Sequence, residues 1–183
     1  MKRTFFGMVI LFCALIFSAA LPGGSVLAHV SADSMPDSVA ETEYLIYLEF
    51  RPNDLTVRNK LGMVYYRQGK LELAAREFYK ILQRNPDNCD ALDGMGLVKA
   101  AQQDFAAAAR YHQHALSVNA DDMMVHYHLG CALEKKGKFR EAAAAYNSAL
   151  AVYRKQYPAG TGEKQAVEFL ETVKTALDSL DNK

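Results

Sequence analysis

The stretch "MMVHYHLGC", residues 123 to 131, carries His126, His128 and Cys131 within six residues. Imidazole and thiolate together are the donors of zinc and copper sites. A second run, "YHQHA" at residues 111 to 115, adds His112 and His114. What these groups can do depends on the elements that hold them. On an α-helix each residue advances by about 100°. His126 and His128, two apart, therefore face nearly opposite ways and cannot share an ion from one helix, which needs i,i+3 or i,i+4 spacing. His128 and Cys131 are three apart, but two ligands are not a site. If the two runs form an antiparallel hairpin, His112 and His114 come level with His128 and His126, which leaves a cross-helix cluster open.

Other chemistry is harder to find. No nucleophile elbow, phosphate-binding glycine loop or zinc-protease motif occurs. Acidic pairs such as Asp121-Asp122 sit where helix caps are expected. No Cys-x-x-Cys-His run supports covalent haem. Cys89 and Cys131 stand at the first position of one unit and the ninth of the next, as set out below. Eight helical residues span about 12 Å, against about 7 Å between the Cα atoms of a disulfide. No internal bridge is expected; an intermolecular one through Cys89 is the remaining option. The chain has 183 residues with 21 basic and 21 acidic side chains, so no basic excess points to nucleic acid. The expectation is a non-enzymatic protein.

The N-terminus reads as an export signal. Lys2 and Arg3 precede "TFFGMVILFCALIFSAAL", eighteen residues without a charge. Pro22-Gly23-Gly24 then breaks the run before Val26-Leu27-Ala28, whose small residues suit cleavage after Ala28. The run is also just long enough to stay as a membrane anchor, through residues 5–21. Phe12 before Cys13 does not suit a lipoprotein acceptor. Removing Lys2 and Arg3 takes the 21 basic residues to 19 against 21 acidic ones. A soluble exported domain, periplasmic in a bacterium, is expected after the 1–28 signal and a 29–36 linker.

The rest of the chain repeats itself. Gly62, Gly96 and Gly130 are spaced by 34, as are Leu61, Met95 and Leu129, and Ala74, Ala108 and Ala142. Phe78, His112 and Tyr146 keep the same interval, as do Ile81, Ala115 and Ala149. A glycine in mid-helix costs about 0.5–1 kcal/mol, so its recurrence signals a packing demand. Large residues such as Leu61, Tyr65 and Phe78 fill the space around it. Gly69 and Gly137 fall at turns, where left-handed backbone is expected.

These residues resemble the tetratricopeptide repeat family. Leu61-Gly62, Tyr65, Ala74, Phe78 and Pro86 carry the resemblance in the first unit, and Leu129-Gly130, Ala142, Tyr146 and Ala149 in the third. Lys99 and His112 depart from the aromatic pattern in the second. The resemblance implies an all-α, right-handed helical-hairpin solenoid of about three units, 55–88, 89–122 and 123–157. A half repeat at 37–54 precedes them, since Ala40, Tyr44, Tyr47 and Pro52 sit 34 before Ala74, Phe78, Ile81 and Pro86. The array spans 37–158, and Pro158 implies a lengthened last helix. Residues 163–181 read as a capping helix, with Ala166, Leu170, Val173, Leu177 and Leu180 on one stripe.

The resemblance also implies that His112 and His126 are packing residues; helix geometry turns His128 elsewhere, and no metal or cofactor is expected. By the family's groove positions, the first unit offers Thr56, Asn59, Met63, Tyr66 and Arg67, and the second Asp90, Asp93, Leu97, Ala100 and Ala101. The third offers Met124, Tyr127, Cys131, Glu134 and Lys135. Met63, Leu97, Met124, Tyr127 and Cys131 would form an apolar floor, and Arg67, Asp93, Glu134 and Lys135 a mixed-charge rim. The family's clamp for C-terminal carboxylates is not implied, because Asn59, Gly94, Met124 and His128 hold its places. The function expected is an exported adaptor that binds a peptide or helix of a partner protein. A self-associating or membrane-tethered structural component is the alternative, and a His/Cys metal binder a further one. Membrane contact is expected only through an uncleaved N-terminus.

Overall fold

The computed structural model describes residues 36–158 and 164–180, with no side-chain detail for 164–170. The signal segment and residues 29–35 of the linker after it lie outside the described residues. Among the described residues every element is helical: α1 Asp37–Phe50, α2 Leu55–Arg67, α3 Leu71–Leu82, α4 Cys89–Ala101, α5 Phe105–Val118, α6 Met123–Lys135, α7 Phe139–Gln156 and α8 Lys164–Leu180. None of these helices is long and apolar enough to cross a membrane.

Short polar caps start the first helix of each pair. Asp54 Oδ1 accepts the Val57 N–H at 3.0 Å, Asn88 Oδ1 the Ala91 N–H at 2.9 Å, and Asp122 Oδ1 those of Met124 and Val125. Each satisfies a donor that the first turn leaves open. Asp121 does different work, since its carboxylate pairs with Lys155 on α7. Gly69 and Gly137 turn the first and third pairs at φ of 73° and 75°. The second pair has no glycine there, and Gln103 takes the left-handed conformation at φ 63°.

Each helix packs on the next in chain order, and α2, α4 and α6 also touch one another along a row. The glycines explain how closely the pairs approach. A Cβ on Gly62, Gly96 or Gly130 would fall under 3.0 Å from the ring of Phe78, His112 or Tyr146, respectively. Phe78 is wedged from a second side by Gly94 of the following unit, at 2.5 Å from a built Cβ. All three rings are 0–1% exposed.

The core is divided along the array. Leu61, Phe78, Ile81 and Val98 anchor one cluster, and Leu129, Tyr146, Leu150 and Tyr153 another. The lengthened α7, 18 residues, carries Val152 and Tyr153 into the interior. Against it lies α8, whose Val173 and Leu180 are buried and whose Leu177 is half-buried. At the other end α1 buries only Ala40 and Leu48. The Arg58–Glu77 ion pair at 2.5 Å, side chains 13% and 9% exposed, ties α2 to α3.

Candidate functional site

The row of α2, α4 and α6 places one register of each repeat on the inner face. Tyr66 from α2, Leu97 and Ala100 from α4, and Cys131 and Lys135 from α6 line one cavity of about 340 Å³. Phe105, His112, His128 and Ala132 complete its wall. Five residues expected in the groove thus meet there: Tyr66, Leu97, Ala100, Cys131 and Lys135. Thr56, Asn59 and Asp90 line a separate pocket of about 190 Å³ near the starts of α2 and α4. Tyr127 borders a third, with Thr172, Thr175 and Ser179 of α8.

Several expected rim and floor residues are engaged elsewhere. Arg67 pairs with Asp37 of α1 at 2.5 Å, so the half repeat holds it. Glu134 accepts the Tyr146 hydroxyl at 3.0 Å, and the same hydroxyl lies 3.4 Å from Cys131 Sγ. Burial, followed by these two neighbours, pushes the Tyr146 phenol far above its usual range. Burial, then Cys131, likewise pushes Tyr127 up to about 12. The Tyr127 ring lies against that of Tyr146, centroids 5.7 Å apart, so only part of it faces outward. Met63 packs on the N-terminal core cluster. Met124 is 40% exposed and stands away from the cavity wall.

Asp93 departs most from the expected rim. Its side chain is 17% exposed and sits between two histidines. His128 Nδ1–H donates to both carboxylate oxygens, at 3.0 and 3.1 Å. His112 Nδ1 lies 2.8 Å from Asp93 Oδ1, but off the line that a hydrogen bond needs, and is fully buried. Burial alone would raise the Asp93 carboxyl; the two imidazoles outweigh it and hold the group at about 2. The carboxyl is therefore ionised at neutral pH.

The histidines take different parts, and His128 departs from its expected one. His112 does the packing work of Phe78 and Tyr146 against its glycine. His128, expected to face away, turns inward instead, its ring centroid 5.6 Å from that of His112. The reason lies in the register. Position 128 is 34 after Gly94, which presses on Phe78; one repeat later the same place faces His112. His126 reaches the Ala120 carbonyl at 3.0 Å, and His114 reaches Asp87 at 3.0 Å, so neither joins the cluster. Sequence reasoning had no signal for Asp93 here, because its partners come from two other helices. Cys89 and Cys131 are both free thiols. Burial raises the Cys89 thiol, which is half-buried against the Ala115 carbonyl.

Stacked helical pairs, a glycine under each central ring and an inner row of first helices define a helical-hairpin repeat scaffold. The tetratricopeptide repeat description matches residues 38–88 and 94–160. The chain belongs to the tetratricopeptide repeat family. No curated protein matches it. Among solved structures it is similar to MamA, residues 41 to the end, from Desulfovibrio magneticus RS-1, at 21% identity and TM-score 0.59, covering 66% of this chain and 68% of that one. It is similar too to SycD, the type III secretion translocator chaperone of Yersinia enterocolitica, at 17% identity and TM-score 0.62, covering 71% and 85%. SycD in complex with a peptide of the translocator YopD matches at 18% identity and TM-score 0.61, covering 69% and 92%. At these identities the likeness shows the shared fold.

Proposed function

We propose that the protein is an exported, non-catalytic adaptor that takes a peptide or helix of a partner protein into its inner groove. One observation carries this reading: Tyr66, Leu97, Ala100 and Cys131, from three successive first helices, surround one largely apolar cavity with Lys135 at its wall. Rigid aromatic and aliphatic walls with a few polar groups suit an anchoring side chain of a partner. The peptide bound by SycD in a scaffold of the same fold supports the binding mode. Export rests on the charged n-region, the apolar run and Val26-Leu27-Ala28. N-terminal sequencing tests it: a mature chain beginning at His29 supports export with cleavage, and an intact Met1 overturns the cleavage.

Leu97→Glu puts a charge on the cavity wall. Tyr79→Lys, 57% exposed on α3, serves as the outer-face control. In cross-linked, affinity-purified material from the native host, Leu97→Glu is expected to lose the specific partner and Tyr79→Lys to keep it, both with unchanged circular dichroism. An unchanged partner set with Leu97→Glu sinks the groove assignment.

Self-association is a second reading, favoured by α1. Its Phe50, Ile46 and Val39 are 80%, 53% and 44% exposed, an apolar stripe left open on the half repeat. Light scattering after size exclusion separates the two readings, since a monomer at all concentrations removes self-assembly.

A further inference from the structure

We infer that Asp93, His112 and His128 form a binding site for one divalent first-row transition cation, with zinc as its representative. One donor atom from each of the three lies within 4.8 Å of the others. The donors come from α4, α5 and α6, so a single ion would join three successive helices and two repeat units. Two imidazoles and one carboxylate are the ligand types that such cations take, and three protein ligands leave a coordination position open. The neighbouring cavity gives that position somewhere to point, because His112 and His128 both line it.

A purely structural cluster would be expected to align its polar atoms with their partners, and one atom here, His112 Nδ1, is not so aligned. His112 is 1% exposed, and its Nδ1 is buried without an aligned hydrogen bond, although the Asp93 carboxylate is 2.8 Å away. A cation between that nitrogen and the carboxylate would give both a common partner. The separations are close to what an ion requires. Donors at about 2.0–2.1 Å on a tetrahedron stand about 3.3 Å apart. The observed 2.8 and 3.0 Å contacts to Oδ1 would open by only a few tenths of an ångström. The site keeps a net charge of about +1 once the carboxylate is counted, and Lys135, the other cation on the cavity, is exposed on a flexible stem. Cys131, also on the cavity wall and one turn after His128, stands within the same space without being counted among the ligands.

The test uses the full chain, stripped with chelator and titrated with Zn²⁺ by calorimetry and with Co²⁺ by visible absorption. His112→Phe installs the side chain that Phe78 provides one repeat earlier, so the variant has a built-in route to the same fold. His128→Asn sits at the more open end of the cluster, 18% exposed, and serves if His112→Phe fails to fold. His114→Gln/His126→Gln is the control for non-specific imidazole binding. The expected result is one ion per chain with Kd below about 10 µM, the absorption of low-coordinate Co²⁺, and a Zn²⁺-dependent rise in Tm. Affinity falls at least tenfold in His112→Phe and in His128→Asn, and stays in the control. Binding weaker than about 10 µM, or binding that survives loss of either cluster histidine, overturns the site.

Discussion

Replacing Gly130 by alanine sets two opposed effects against each other. Alanine in a helix interior is favoured over glycine by about 1 kcal/mol. Yet the new Cβ would fall under 3.0 Å from the Tyr146 ring. Ordinary carbon contacts lie near 3.5–4.0 Å, so the ring or the helix must give by roughly 1 Å. The ring has little room to do so. Tyr146 is 1% exposed, lies against Tyr127, and has its hydroxyl held by Glu134. Overpacking of this kind costs about 1–3 kcal/mol, so Gly130→Ala is expected to destabilise by up to about 2 kcal/mol net. In a Tyr146→Leu background the clash is gone and only helix propensity remains. There Gly130→Ala is expected to stabilise by up to about 1 kcal/mol, a coupling of about 1–3 kcal/mol in the double-mutant cycle. Urea unfolding of the four proteins at constant slope measures it. Equal effects of Gly130→Ala in both backgrounds would refute the claim that the glycine exists to admit the ring.

Further outcomes follow from single positions. Gln103→Gly relieves the left-handed backbone at φ 63° and is expected to stabilise by about 0.5–1 kcal/mol in the same urea assay, with no gain if the strain is absent. The hydrogen bond from Arg67 holds the Asp37 carboxyl below its ordinary 3.8. Its stabilising effect is therefore present above that value and fades as pH falls through the lowered folded-state value. Arg67→Gln should move the Asp37 midpoint back up in a carboxyl NMR titration, and an unmoved midpoint contradicts the pairing.

The fold was legible because close packing leaves a periodic trace. Gly62, Gly96 and Gly130 recur at 34 residues, and each faces a ring. The cavity was legible in part, since Tyr66, Leu97, Cys131 and Lys135 share inner-face registers. What stayed hidden lies across repeats. Asp93 reads as a rim charge until α5 and α6 bring His112 and His128 to it. Gly94 looks incidental until Phe78 of the previous unit presses on it. Arg67 reads as an open cation until α1 supplies Asp37. Period counting finds what each repeat does alike, and these contacts depend on where successive repeats differ.

A photo-activated cross-linking residue at position 97, compared with one at position 79, puts the groove to the question in the native host. Capture of one defined segment of one partner from position 97, with none from position 79, is the predicted result. Equal capture from both faces, or none from position 97 while position 79 captures a partner, would contradict it.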